Sequence, residues 1–458
     1  MEMYEIFNII INPEVLLSIA VLSLVFYGIY SPILKWSVGM LLVIGVITMC
    51  LPDAWGILIG SNGLLMVNSW ILILKIIIII GSVSLLLMSG NVAPGLILMV
   101  GLSSLLLVSS VNWLSVYLAI ELQTLSLFIL AALKRDSTYS TEAGLKYFVL
   151  GAVSSGLFLF GCALLYGFAG ETSIQGINSV LSGDIGKILI TVSLLFKLSA
   201  APFHMWAPDV YDGAPTTTTA LLATIPKVGV FSILVQIGPV TNVVLVCAVL
   251  SIIYGGIGAL NQTKIKRLLA YSGIGHMGFI LFGVAIGTFE SIQASLIYII
   301  IYVIMSICGF SIILAVASRW SLIVEFSSLS RDNPVIAGTL ALTFLSIAGV
   351  PPLAGFLSKW LILLSGVSSG YYLICIVAVI SSVVAGVYYV RLVQIIYFQT
   401  DGPLGGSILV WQKVLNREKR VDLSKSLLIG FTFFIILFLM ISPNFLLQIT
   451  HDATISLY

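Results

Sequence analysis

Charge is what this sequence has least of. Only 8% of its 458 residues are Asp, Glu, Lys or Arg, while 60% are hydrophobic. An ordinary soluble domain carries about 25% charged residues, so a soluble fold of this length could not cover its own surface. The five cysteines (Cys50, Cys162, Cys247, Cys308, Cys375) are far apart and form no C-x-x-C pair, which suggests neither a disulfide framework nor a metal site. No basic segment precedes the first apolar run and no arginine occurs before Arg135, so neither a signal peptide nor an Arg-rich transit peptide is expected. The sequence also has no P-loop, no G-x-G-x-x-G after a strand and no nucleophile–base pairing. A net charge of +2 is too small to imply a nucleic-acid partner.

What the chain does have is long apolar runs. A run of 18 or more residues crosses roughly 30 Å of hydrocarbon as a helix, and such runs recur from end to end. They are continuously apolar, as in Trp70–Leu87, whereas the strands of a membrane barrel would alternate. The pattern predicts an all-α polytopic membrane protein. About fourteen spans are expected: 13–30, 33–50, 64–88, 94–110, 112–133, 143–169, 185–203, 216–237, 240–260, 268–287, 291–317, 334–364, 371–398 and 427–445.

Basic residues test that list, because they collect on one side of a membrane. Connections after odd-numbered spans hold Lys35, Lys134, Arg135, Lys264, Lys266, Arg267, Arg319, Arg331, Lys413, Arg417, Lys419, Arg420 and Lys425. Connections after even-numbered spans hold only Lys187. One missed or invented span midway would scramble this asymmetry. It therefore predicts that both termini lie on the side poor in basic residues.

Six basic residues fall inside spans: Lys75, Lys146, Lys197, Lys227, Lys359 and Arg391. A lysine at the centre of a membrane helix costs roughly 2.5–3.5 kcal/mol on insertion scales, so such residues are retained for a reason. Arg391 and Lys146 lie near span ends, where a long side chain can reach the interface. Lys75 is deeper and has no evident partner. The other three accompany prolines: Lys197 precedes Pro202 in FKLSAAPFHMW, Lys227 follows Pro226, and Lys359 follows Pro351 and Pro352 in GVPPLAGFLSKW. A proline frees backbone carbonyls, which at membrane depth must be satisfied by protein or face a wet cavity. Broken spans in both halves point to a transporter built from repeats. Prolines as packing kinks and lysines as structural pairs remain the alternative. Glu121 is the one acidic residue read as deep in a span, so a lysine partner is expected for it. His276 could relay protons near neutral pH or simply be structural.

The segments LSVYLAIELQTLSLFIL, EAGLKYFVLGAVSSG, FKLSAAPFHMWAPDVYDGAPT, IKRLLAYSGIGHMGF and FLSIAGVPPLAGFLSKW resemble the signature segments of the antiporter-like membrane subunits of respiratory complex I. Lys359 and the closing stretch are similar to the subunit 2, or N-type, branch of that family. The resemblance implies two inverted five-helix repeats, spans 4–8 and 9–13, with the seventh and twelfth broken at Pro202 and at Pro351/Pro352. The corresponding divisions are 1–92 as an N-terminal extension, 93–237 and 240–398 as the repeats, and 399–458 as a basic loop and last helix. It implies that Glu121 and Lys197 form a charge pair, that Lys227 is a central relay, and that Lys359 exchanges protons toward the far side. Lys146 is a further candidate. Asp212 departs from the family pattern, where glutamate would be usual, as does the run Thr216–Thr219.

By resemblance, then, the chain is expected to be a proton-translocating subunit of an NADH:ubiquinone oxidoreductase, with no redox site and no cofactor of its own. NADH, FMN, iron–sulfur clusters and ubiquinone would lie in other subunits. Its partners would be the other membrane-arm subunits and the bilayer. The mitochondrial inner membrane is the expected location, with both termini in the intermembrane space, and a bacterial plasma membrane is the alternative. Two other functions fit the same residues: a subunit of a cation/proton antiporter, and an assembly scaffold whose charges only lock helices together.

Overall fold

The structure, a computed structural model, describes residues 13–27, 41, 45, 65–90, 93–174, 176, 184–316, 322–398 and 422–457. The expected second span, 33–50, lies outside the described residues except at positions 41 and 45, as does most of the basic stretch 399–426. Helices α1 (Pro13–Tyr27), α2 (Ser69–Ser89), α3 (Pro94–Ser109), α4 (Trp113–Ala131) and α5 (Thr138–Ala169) follow the predicted runs. The seventh span ends as α6 (Asp184–Lys197), and beyond the gap that holds Pro202 the short α7 (Trp206–Gly213) follows at the basic end. The eighth is divided into α8 (Thr216–Ala223) and α9 (Ile225–Ile237). Next come α10 (Thr241–Ala259), α11 (Ile265–Ile286), α12 (Phe289–Val316) and, after a 3-10 turn, the four-residue α13 (Leu329–Asp332). The twelfth span becomes α14 (Pro334–Ala348) and α15 (Ala354–Ser368). The chain ends with α16 (Tyr372–Phe398), α17 (Leu423–Ile441) and α18 (Asn444–Ile455).

Among the described residues, nine helical segments are long and apolar enough to cross a bilayer. Hydrocarbon offers backbone groups no hydrogen bonds, which makes continuous helix the favoured state of each run. The many serines follow the same rule. The buried Ser82, Ser103, Ser104 and Ser295 each donate their hydroxyl to the carbonyl three residues earlier, so none of these four hydroxyls lacks an acceptor. Glycine allows a close approach between α10 and α11, where a side chain on Gly255 would lie 2.5 Å from the Gly275 nitrogen.

The connections sort onto two ends, as the basic residues imply. Lys264, at the start of α11, pairs with Asp212 on α7, Arg267 pairs with Asp209, and Ile323 N donates to Thr263 O. These bonds gather the connections after the seventh, ninth and eleventh spans. At the other end Met66 N reaches Ser109 O, and Trp113 N reaches Thr172 O. There α18, which the sequence reading left without an element, lies across the bundle, with Leu447 O accepting from Gln293 and Ser456 O from Asn68. Its Leu446, Thr450, Ala453 and Thr454 are buried on one face, the spacing of an amphipathic helix.

Lys75 does have a partner. Its ammonium lies 2.5 Å from Glu14 Oε1, with both side chains nearly inaccessible. This corrects the reading of Glu121 as the one deep carboxylate, since Glu14 is buried in α1. Removing one partner of a buried pair leaves an uncompensated charge and costs about 3–5 kcal/mol, whereas an apolar replacement of both is often neutral. Glu14→Gln should therefore lower the thermal stability of the purified protein, and Glu14→Leu with Lys75→Leu should restore most of it. Equal melting temperatures for wild type and Glu14→Gln would refute this.

Candidate functional site: a buried row of lysines, tyrosines and histidine

Both broken spans leave carbonyls to be satisfied, and in both a lysine sits at the exposed end. Helix α6 stops at Lys197. Ser199, at φ 58, turns the chain, and Leu198 N and Ala200 N take the carbonyls of Leu194 and Leu195. Phe196 O accepts from Ser199 N and from Trp206 Nε1 on α7, at 3.0 Å from the latter. Helix α14 ends in the same manner: Gly349, at φ 87, sends its N–H to Leu345 O and Ser346 O. Lys359 reaches back from α15 and donates to Ala348 O at 2.7 Å. The Lys359 ammonium thus lies at the C-terminal, negative end of a half-helix, where the aligned peptide dipoles favour a cation, and Lys197 is the last residue of the other. Pro202 and Pro351/Pro352 lie in the two gaps, as expected from sequence. A further break falls at Thr224, which the sequence marked only by the nearby Pro226.

Lys227 occupies the first turn of α9, the end where the dipole favours anions, and its compensation comes from α12. The Nζ donates to Tyr302 OH at 3.2 Å and lies 5.2 Å from the centre of that ring. Tyr302 in turn packs on His276 of α11, ring centres 5.5 Å apart, and His276 Nδ1 lies 2.7 Å from Tyr298 OH. Tyr298 stacks on Phe279, and Phe279 presents its face to the Lys359 ammonium at 5.8 Å. Lys227, Tyr302, His276, Tyr298 and, beyond one phenyl ring, Lys359 form a row, and all five are buried. Beside it lies a small cavity of about 20 Å³, lined by Ser272, Ser306, His276, Tyr302 and apolar side chains. That is room for a water.

The sequence reading missed both tyrosines. A signal was present, for IYIIIYVIM places two phenols four residues apart on one face of an otherwise aliphatic helix, and a buried phenol needs a partner.

The implied Glu121–Lys197 pair is not closed. Glu121 Oε2 accepts weakly from Thr124 at 3.4 Å, while Glu121 Oε1 and Lys197 Nζ are buried with no hydrogen-bond partner. Helix α5 packs against both α4 and α6, and its Gly151 faces Lys197, a side chain there falling 3.8 Å from Nζ.

Lys146 lies apart from the row, in a partly exposed cluster at the basic end. Its Nζ is 2.8 Å from Glu142 Oε1 and 2.8 Å from Asp209 Oδ2, and Asp209 Oδ1 takes Arg267 at 2.6 Å. Burial pushes the Asp209 carboxyl up, but Lys146 and Arg267 outweigh it and hold it below the usual carboxylate range. Asp212, the departure from the family pattern, accepts from Lys264 at 2.8 Å. Among the described residues no cluster of histidine, cysteine or carboxylate could hold a metal ion.

A helical membrane bundle with broken helices and a buried row of cationic side chains defines an antiporter-like membrane subunit. Residues 110–385 match the family described as NADH:quinone oxidoreductase/Mrp antiporter, transmembrane. The chain is 65% identical over 382 residues to the NADH-ubiquinone oxidoreductase chain 2 of Metridium senile, covering 81% of this chain and 98% of that one. It therefore belongs to the NADH:quinone oxidoreductase/Mrp antiporter family, in the chain 2 branch. A chain of respiratory complex I from Thermus thermophilus superposes with TM-score 0.82 at 25% identity, over 95% of this chain and 98% of that one. A chain of the Mrp complex from Dietzia has the same fold, with TM-score 0.86 at 16% identity, over 98% and 97%.

Proposed function

We propose that this chain is a proton-translocating membrane subunit of an NADH:ubiquinone oxidoreductase, moving protons through its buried groups while other subunits carry out the redox chemistry. The observation that carries the reading is the row from Lys227 through Tyr302 to His276 and Tyr298. An ammonium gives up a proton, a phenol donates and accepts at one atom, and an imidazole does so at two. A proton leaving Lys227 therefore has acceptors at short intervals across the bundle. Lys359 is the terminal group of the row, and Lys197, on the other broken span and outside the row, is the group that exchanges protons with it on the side of Lys227. Glu121 acts on Lys197 by approaching or receding, which changes the affinity of the lysine for its proton. Phe279 interrupts the row before Lys359, so transfer there requires a movement that opens the gap.

The chain holds no redox site in this reading. NADH, FMN, iron–sulfur clusters and ubiquinone belong to partner subunits, and neighbouring antiporter-like subunits flank this one in the membrane arm. The membrane is the mitochondrial inner membrane, with the basic connections facing the matrix and both termini the intermembrane space.

Purification in mild detergent tests the assignment. A flavin- and iron–sulfur-containing arm should co-purify, and sealed vesicles should move protons when given NADH and quinone. Sodium-driven proton exchange without NADH, tracking this chain in the absence of a redox arm, would instead make it a cation/proton antiporter subunit.

A further inference from the structure

The cluster at the basic end contains a local contradiction. Lys264, Lys266 and Arg267 crowd the first turn of α11, the end of a helix where cations are disfavoured. Their support comes from α7. Asp212 accepts from Lys264 Nζ at 2.8 Å and lies 3.5 Å from Arg267 Nε as an ion pair. Lys266 donates to Ala214 O at 2.7 Å, at the C-terminal end of α7. Asp209 uses both oxygens, one toward Lys146 on α5 and one toward Arg267 on α11.

This carboxylate therefore ties together helices from both halves of the chain, one leading to Lys197 and the other to the row. Helix α7 opens with Trp206, whose indole donates to Phe196 O, the residue before Lys197, and packs edge-on against Tyr147. Helix α11 carries Gly273, at which a side chain would fall 3.3 Å from Lys227 Nζ, and then His276. A shift of α7 relative to α11 would change the geometry at both ends together.

We propose that Asp209, with Lys146 and Arg267, is a charged strut that fixes the break beside Lys197 against the helix bearing His276, and that Lys146 is a positioning residue in it rather than a carrier of protons. The inference rests on the proton-relay reading above. Each contact is partly exposed, with side chains 36–40% accessible. A single pair of that kind contributes little by itself, so the strut depends on one carboxylate serving two cations on different helices.

Arginine separates the two roles. A guanidinium keeps the charge and can bond both Glu142 and Asp209, yet it does not release its proton. In the assembled complex, Lys146→Arg should keep NADH:quinone turnover within about twofold of wild type, whereas loss of turnover by a relay residue follows once its proton can no longer leave. Asp209→Asn should lower turnover by about tenfold or more, as misplaced groups do, at unchanged complex content, and Asp209→Glu should recover part of it. An assembled but inactive Lys146→Arg, or wild-type turnover in Asp209→Asn, overturns the strut. If Asp209→Asn does not assemble, Asp209→Glu decides: activity upholds the proposal and failure overturns it. Lys227→Arg is the separate control, since full activity there would remove the relay reading while leaving the result at Lys146 and Asp209 to stand as a structural coupling.

Discussion

Replacing Lys227 by methionine is expected to reduce NADH:quinone turnover of the assembled complex by roughly a hundredfold, the scale set by loss of a positioned acid–base group. Methionine keeps the apolar stem and so leaves little cavity in α9, where Lys227 is buried. What disappears is the group that donates to Tyr302 OH at 3.2 Å. Tyr302→Phe should have a smaller effect in the same direction, because the ring that faces the ammonium at 5.2 Å remains and only the hydroxyl is lost. Turnover measured against complex content separates chemistry from assembly. Undiminished turnover in Lys227→Met would remove Lys227 from the path.

The second large effect concerns the gap between α14 and α15. A side chain on Gly355 would fall 1.8 Å from Ser346 O and 2.8 Å from the Ser346 carbonyl carbon, both backbone atoms. Flexible neighbours cannot resolve that overlap by changing rotamer. Gly355 N also donates to Ser346 Oγ at 3.3 Å, and Lys359, one turn on, holds Ala348 O. Gly355→Ala must therefore separate the two half-helices and displace Lys359. It should cost more than the typical overpacking penalty of about 1–3 kcal/mol, and is expected to abolish accumulation of assembled complex on native gels. Gly95→Ala, in the first turn of α3 with open space around it, is the neutral control. Normal assembly of Gly355→Ala would show that the break does not need this close contact.

Much of the fold was legible because hydropathy and charge act along a single helix. Apolar runs define the spans, and the basic residues report which connections share an end, which the bonds from Lys264 to Asp212 and from Thr263 to Ile323 bear out. The lysines beside prolines were legible for the same reason, since charge and a broken backbone are both costly in hydrocarbon. What escaped the sequence lies between helices. Glu14 drew no comment in the sequence, and it is the buried partner of Lys75 only because the fold brings α1 to α2. Glu121 and Lys197 read as a pair, but Glu121 Oε1 and Lys197 Nζ are each buried without a hydrogen-bond partner, an outcome set by how their helices pack rather than by either helix alone. Tyr298 and Tyr302 gain their significance from Lys227 and His276, which stand on two other helices. Helix α18 was missed for a different reason: it is too polar and too short to span, and its amphipathic pattern identifies a helix lying across the bundle end.

The central claim is that protons move through this row of buried groups. Proton release into sealed vesicles, recorded together with NADH oxidation by complex carrying Lys227→Met and normalised to assembled complex, tests it most directly. The account predicts release falling with turnover to near the background leak. Release at the wild-type rate, with the wild-type number of protons per NADH, would contradict it.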